Sequence, residues 1–251
     1  MLRICFILLF LFIGLFAKAQ SEFSPQLFSA YIKSDMPAWK VVIDKMQNDK
    51  RTKRDTNFTA ELVQYQYGYV AWHLGYHLEN EAEKYLEIAD ENLDWLREQG
   101  YNPSMVESYQ ASFYGFWIGV NTWYFTLYGF KCPDAAKLAI ELNPNNPFAY
   151  IQWGNIKYYQ PAFVGGSKPE AIEYYKKAEK MYESRGSSKI NSDWIYLNLL
   201  ATLAQAHERF KHYDEAKSYY LKLLDLQPDY VWVKDTMLPN LEIKMNQLEL
   251  E

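Results

Sequence analysis

The sequence predicts an all-α protein, a solenoid of antiparallel helix pairs that curves as a right-handed superhelix. Apolar residues recur at the 3.6-residue period of amphipathic helices, and no segment alternates apolar and polar residues as a strand would. Small residues also recur at the spacing of helices that cross closely. One helix pair cannot bury its own apolar face, so several pairs must stack. We therefore expect about ten helices and a single helical domain over residues 20–251.

The clearest helix pair spans residues 197–230. Ala204 and Ala216 are small where the two helices cross, and Pro228 ends the second helix because proline lacks the backbone N–H. The other residues that carry the pattern are Leu200, Leu203, Tyr213, Tyr220 and Leu223. This pattern resembles the tetratricopeptide repeat, a helix-turn-helix unit of about 34 residues. The resemblance implies a scaffold that presents a concave binding surface and no catalytic machinery.

Degraded copies precede this pair. Residues 113–146 end in a repeat-like tail, and residues 147–183 place Trp153 and Gly154 at a helix crossing. Gly154 and Ala171 are seventeen positions apart, against twelve for Ala204 and Ala216, so the turn within 160–167 carries five extra residues. A weaker copy covers 61–99. We expect its first helix at Glu61 to Gly75, and the first helix of the next copy at Phe113 to Leu127.

The amino terminus has the form of a signal peptide. Arg3 supplies the positive charge, an apolar run of 14 residues follows from Ile4 to Ala17, and Ala17-Lys18-Ala19 is a small-residue cleavage site. We predict cleavage after Ala19 and a periplasmic or secreted protein. A retained membrane anchor is the alternative interpretation of the same segment. Beyond it, no stretch reaches the 20 or so apolar residues of a membrane span.

Charge and cysteine content exclude several function classes. The formal charge is −5, and it falls to −7 when Arg3 and Lys18 are removed with the signal peptide. An acidic chain argues against nucleic acid as a partner, and the basic run at 50–54 is typical of a solvated loop. Of the two cysteines only Cys132 remains after cleavage, so stability must come from packing.

Catalytic and metal-binding motifs are absent from the sequence. It has no Gly-rich phosphate loop, no paired CxxC and no GxSxG. His73 and His77 are four positions apart on one predicted helix, but they lack the glutamate of an HExxH motif and a third ligand. We expect no metal, no cofactor and no enzyme activity. An enzyme would need two titratable groups in one pocket, and the alternative rests on Glu208 and Arg209 beside Tyr158.

Aromatic residues make up 18% of the chain and concentrate in Tyr109 to Phe130, a segment that is apolar nearly all round. Such a helix is either central core or the wall of a groove, and the sequence leaves both interpretations open. In tetratricopeptide proteins the groove is lined by the first helix of each repeat. The resemblance implies a partner-binding or ligand-binding set of Tyr67, Tyr114, Trp117, Asn121, Tyr124, Asn155, Tyr158, Gln205, Glu208 and Arg209, flanked by Gln64, Phe125, Tyr159 and Asn198. We expect the ligand to be a protein partner or a small apolar, planar molecule.

The insertion at 160–167 carries a second resemblance. Pro161, Phe163 and the Gly165-Gly166 pair lie between two repeat helices. This arrangement is similar to the periplasmic T-component of TRAP transporters, which is thought to act beside a substrate-binding subunit. It implies an accessory role in solute uptake as an alternative function. Turn geometry explains the two glycines equally well.

Overall fold

The computed structural model describes residues 21–186 and 191–248, and in these ranges the chain is helical with no strand. The predicted signal peptide at 1–19 lies outside the described residues. Twelve α-helices lie within the described ranges: α1 (Ser24–Ile32), α2 (Met36–Gln47), α3 (Thr56–Gly75), α4 (Glu79–Glu98), α5 (Pro103–Val120), α6 (Phe125–Tyr128), α7 (Lys131–Leu142), α8 (Pro147–Tyr159), α9 (Lys168–Glu183), α10 (Trp194–Arg209), α11 (Tyr213–Leu226) and α12 (Leu238–Leu248). The pair α1 and α2, which precedes the repeat-like region, was not predicted.

The helices pack as consecutive antiparallel pairs, which confirms the predicted all-α solenoid. The pairs are α1 with α2, α3 with α4, α5 with α7, α8 with α9 and α10 with α11, and α12 packs on α11. The crossing residues are small because the axes approach closely: Ala204 and Ala216 are completely buried. A Cβ on Gly154 would lie 2.5 Å from Cε1 of Tyr175, so only glycine fits there. The described part of the chain contains no helix long and apolar enough to cross a membrane.

Polar side chains cap the start of six of these twelve helices. The side chains of Asp35, Asp55, Asn102, Ser167 and Asp193 accept hydrogen bonds from the first free backbone N–H groups of α2, α3, α5, α9 and α10. Asn146 does the same for α8. Proline occupies the first or second helical position in α1, α2, α5, α8 and α9, where no intrahelical N–H is lost.

The aromatic segment 109–130 is not one helix. The prediction of a first helix from Phe113 to Leu127 is wrong. α5 starts at Pro103 and ends at Val120, and Asn121 adopts an extended conformation. The Asn121 side chain accepts from the N–H of Trp123 and starts a short 3₁₀ turn, so it competes with continuation of the helix. The segment is therefore core at one end and surface at the other: Phe113 is fully buried, whereas Trp123 is 80% exposed.

An aromatic cluster lies between the first helix pair and the last one. The ring of Trp39 on α2 lies 5.2 Å from that of Trp194 on α10, and Tyr31 on α1 lies 5.1 Å from Tyr230. Gly68 is required beneath them, because a Cβ there would lie 2.7 Å from Trp194 and 2.8 Å from Trp39. The first helix pair thus packs against the last one. Trp194 lines one of the two clefts described below, and Tyr67, whose ring contacts Trp194, lines the other.

Candidate functional site

The more apolar of the two clefts described here, which we call the glycine cleft, has a volume of about 530 Å³. The first helices of successive pairs, α3, α5, α8 and α10, supply most of its lining, together with the segment after α5. The lining residues are Tyr67, Ala71, Leu74, Gly75, Ala111, Ser112, Gly115, Phe116, Ile118, Gly119, Phe125, Gly129, Cys132, Pro133, Gln152, Asn155, Ile156, Tyr159, Gln160, Pro161, Asn198 and Thr202. A cleft of this size fits a small molecule.

Three helical glycines in this lining have no packing role. A Cβ on Gly75 would meet no atom within 4 Å, and one on Gly115 would meet only the Cys132 sulfur at 4.0 Å. On Gly119 the nearest atom would be Cδ1 of Leu74 at 3.4 Å, an ordinary contact. Glycine inside a helix costs about 1 kcal/mol relative to alanine. Gly115 and Gly119, which lie inside α5, therefore keep space open in the cleft at the expense of helix stability, whereas Gly75 is the last residue of α3.

Aromatic rings stand around this open floor. Phe116 stacks on Tyr67 with ring centroids 5.4 Å apart and an angle of 26° between the planes. Phe125 is 43% exposed and Tyr159 is 79% exposed, so both present ring surface that the fold itself does not cover. Cys132 is buried and its thiol donates to the carbonyl of Ala111; burial raises the pKa of the thiol to about 12. The thiol is therefore not a nucleophile at neutral pH.

The polar side chains of the cleft form a hydrogen-bonded row along one wall. Tyr175, behind the wall, donates to Oδ1 of Asn155 at 2.8 Å, and Nδ2 of Asn155 donates to Oε1 of Gln152 at 3.1 Å. Nε2 of Gln152 then donates to the Tyr67 hydroxyl oxygen at 3.4 Å. No charged residue is present in the described lining. The cleft is thus apolar, with one neutral polar wall.

Two residues of the predicted binding set, Tyr67 and Asn155, line the glycine cleft. Tyr114, Trp117 and Tyr124 instead form a separate stack with Tyr128 on another side of α5, where Trp117 donates to Asp90. Burial raises the pKa of that carboxyl to about 6. Asn121 acts as the cap described above. The predicted register put these residues in the groove because it started the helix ten residues too late.

The remaining predicted residues lie near the carboxyl end of α8 and on α10. Tyr158 is half-buried and carries the ammonium of Lys168 over its ring at 5.7 Å. Glu208 accepts from the Tyr220 hydroxyl and pairs with Lys244, which ties α10 to α11 and α12. Gln205 and Arg209 are exposed. None of these four is among the residues that line the glycine cleft.

The cleft glycines and Phe116 were not predicted from the sequence. The signal that identifies them is the spacing of Gly115 and Gly119, which are one helical turn apart inside an aromatic helix and so share a face. Gly129, by contrast, has a local explanation: a Cβ there would lie 2.7 Å from the carbonyl oxygen of Phe125. The atoms around each glycine in the structure distinguish glycines that close packing requires from glycines that leave open space.

A second, more polar cleft of about 700 Å³ lies on the other side of the aromatic cluster. Its lining includes Arg51, Glu61, Arg185 and Asp193. Arg51 belongs to the basic run at 50–54, and it is neutralised by Asp49 and Glu22 while it stacks over the Phe58 ring. The basic run therefore contains a structural clamp. We assign this cleft no ligand.

The two histidines considered as a metal pair do not share a helix face. α3 ends at Gly75, and His77 lies beyond it in the left-handed conformation with φ 56°. Nδ1 of His73 is 2.8 Å from the carbonyl oxygen of Tyr69 in the same helix, whereas the His77 side chain is exposed. The predicted four-residue helical spacing is therefore wrong, because the helix stops between them.

No family model and no curated protein matches the chain. Among solved structures, the HusA haemophore from Porphyromonas gingivalis superposes with a TM-score of 0.61 at 18% identity, over 76% of this chain and 94% of that one. A thermophilic TPR protein from Thermus thermophilus covers 91% of this chain and 96% of its own at 16% identity, with a TM-score of 0.48. At this level of identity a likeness concerns the fold alone. The chain therefore has an all-α fold of stacked helix pairs, similar to that of HusA.

Proposed function

We propose that this protein is a binding protein and not an enzyme, and that its ligand is an apolar, planar small molecule held in the glycine cleft. One observation carries the proposal: Gly75, Gly115 and Gly119 leave space under a ring of aromatic side chains although no packing contact requires them. Natural sequences accept such a cost in stability at functional sites. A spacer or purely structural solenoid would gain stability from alanine at Gly115 and Gly119, which lie inside α5.

A porphyrin is the ligand class that we propose for the cleft. HusA, which has a similar fold, is a haemophore by name. The volume of about 530 Å³ lies within the range of small-molecule sites, and the faces of Phe116, Phe125 and Tyr159 suit an aromatic macrocycle. The proposed location outside the cytoplasm rests on the signal-peptide pattern at 1–19.

The side chains in the cleft suit contact with the porphyrin ring and do not suit ligation of a metal ion at its centre. None of the four histidines, all of which lie in the described ranges, belongs to the lining. The thiol of Cys132 is protonated, and Tyr67 is held in the hydrogen-bonded wall. Tyr159, which is 79% exposed, carries the second phenol oxygen of the lining. We therefore expect metal-free protoporphyrin IX to bind about as tightly as haemin.

The test is a titration of the chain with protoporphyrin IX, followed by porphyrin absorbance and quenching of tryptophan fluorescence. We expect saturable binding of one porphyrin per chain, at least tenfold weaker (by about 1.4 kcal/mol) in Gly115→Leu, whose side chain would fill the floor. Glu173→Leu, on an exposed part of α9, is the matched control and should bind normally. Failure of the wild-type protein to bind, or equal binding by Gly115→Leu, would refute the proposal.

A protein partner is the second candidate, and exposed aromatic side chains favour it. Trp123, Phe130 and Phe163 are 80%, 81% and 88% exposed in segments that flank the cleft mouth. Such apolar surface is typical of interaction sites. This surface fits a protein partner that receives the ligand. It also fits the accessory role beside a solute-binding subunit that the TRAP resemblance implies. Loss of partner binding in Trp123→Ser or Phe163→Ser with porphyrin binding intact would separate the two functions.

A further inference from the structure

In the hydrogen-bonded wall of the glycine cleft, the donors and acceptors follow one another in a single order. This order determines which tyrosine keeps a free hydroxyl proton. Tyr175 donates to Asn155, Asn155 donates to Gln152, and Gln152 donates to the oxygen of Tyr67. One N–H of each amide is used by the next residue, and the row ends at the hydroxyl oxygen of Tyr67. The Tyr67 oxygen accepts, so its own O–H proton is left without a partner in the row.

The opposite order of donors and acceptors would leave an unpaired hydroxyl proton at a site that does not border the cleft. If both amides were turned round, Tyr67 would donate to Gln152 and the row would end with a free O–H on Tyr175. That residue is completely buried, with its ring against Gly154. An unpaired buried donor is costly, whereas Tyr67 borders the cleft and its proton can be satisfied there. Although Tyr67 is also buried, it lines the cleft and Tyr175 does not, so the packing favours the direction that leaves the free hydroxyl proton on Tyr67.

The state of the Tyr67 hydroxyl is also fixed. Burial raises the pKa of Tyr67 above its ordinary value, so the group is protonated and neutral at physiological pH. The described lining of the cleft contains no lysine or arginine that would compensate a buried negative charge. A neutral acceptor suits this hydroxyl better than a carboxylate does.

We propose that Tyr67 is a specificity-determining residue, which donates a hydrogen bond to a neutral acceptor such as a carbonyl oxygen on an otherwise apolar, planar ligand. The inference rests on the proposed function in one respect only, that ligands enter the glycine cleft. Among planar ligands that enter the cleft, it favours those with a neutral acceptor on the edge that faces α3 and α8. Charged groups of such a ligand would then lie at the solvent-exposed mouth.

A matched pair of small probes tests this inference without porphyrin. 2-Acetylnaphthalene and 2-isopropylnaphthalene have nearly the same shape, but only the first carries an acceptor. We expect the wild-type chain to bind the ketone about three to ten times more tightly, the usual contribution of one neutral hydrogen bond. In Tyr67→Phe this preference should vanish, while affinity for the hydrocarbon stays the same. Tyr109→Phe is the control, because that buried tyrosine contacts the Tyr67 ring but lines the other cleft.

The outcomes distinguish this inference from the proposed function. If both probes bind the wild-type chain equally, the role of Tyr67 is refuted while the apolar cleft stands. If porphyrin fails to bind but the ketone preference depends on Tyr67, the inference stands and the porphyrin proposal falls. A preference for the donor probe 2-aminonaphthalene that is lost in Tyr67→Phe would mean that the row runs the other way, and would overturn the inference. Binding of neither probe would overturn it as well.

Discussion

At the scale of single residues, His207 on α10 is a buried polar group that packing does not satisfy. The residue is 5% exposed, its ring is stacked on Tyr219 at 5.7 Å, and neither ring nitrogen has a hydrogen-bond partner among the described residues. Burial lowers the pKa of His207 below 6.5, helped by Lys176 and His212, while Glu215 and Glu173 act in the opposite direction. Above pH 6.5 the histidine is neutral in both states. As the pH falls below 6.5, the unfolded chain takes up the proton first, so the folded state loses stability.

This environment gives a prediction for His207→Leu. Because leucine removes an unpaired polar group from a buried site, the free energy of unfolding at pH 7 should stay the same or rise by about 1 kcal/mol. The loss of stability between pH 6.5 and pH 5 should also become smaller. Urea unfolding at several pH values measures both effects. The control is His77→Asn at an exposed histidine, and an unchanged pH dependence in His207→Leu would contradict the prediction.

At the scale of helices, small residues serve two opposite purposes in this fold. Gly154 allows α8 to approach the ring of Tyr175 on α9, and Ala216 allows α11 to approach α10. Gly115 and Gly119 on α5 are approached by no backbone and leave an open surface. Both kinds occur on amphipathic helices, so composition and period alone do not distinguish them.

The helix pairs were predictable where the repeat pattern is intact. Gly154 was expected at a crossing, and the register of the last pair agrees with the complete burial of Ala204, Ala216 and Tyr220. The start of α5 was not predicted, because that copy matches the pattern only at its tail. Its true start is marked by Asn102 as a cap and Pro103 in the first turn, a signal that is local and independent of the repeat.

Overpacking at the crossings should be costly. Gly154→Ala puts a Cβ at 2.5 Å from a buried ring that cannot move freely, so we expect a loss of about 1 to 3 kcal/mol in the free energy of unfolding. Ala216→Leu should cost a similar amount for the same reason. Chemical denaturation of each variant checks both values. An unchanged denaturation midpoint in either variant would mean that its two helices do not cross as described.

At the scale of the whole molecule, closure of the solenoid explains the aromatic composition. Trp39 and Trp194 are more than 150 positions apart in the sequence, yet their rings are in contact. Tyrosine and tryptophan fill the space between the first and the last helix pairs, and Trp39 donates to the carbonyl of Tyr65. No local pattern in the sequence predicts contacts of this range. The sequence predicts a groove lined by the first helices, whereas the long-range contact between Trp39 and Trp194 is beyond the reach of the repeat pattern.

The proposed ligand site rests on space that glycine keeps open at a cost to the fold. The most direct test is to measure the melting temperature and the protoporphyrin IX affinity of one double variant, Gly115→Ala with Gly119→Ala. Each alanine should stabilise α5 by up to about 1 kcal/mol, which raises the melting temperature by roughly 2 to 4 °C per substitution. The two added methyl groups should weaken porphyrin binding at least about tenfold, the usual effect of a small steric change in an apolar pocket. A lower melting temperature would mean that packing needs these glycines, and unchanged affinity in a stabilised variant would mean that the ligand lies elsewhere.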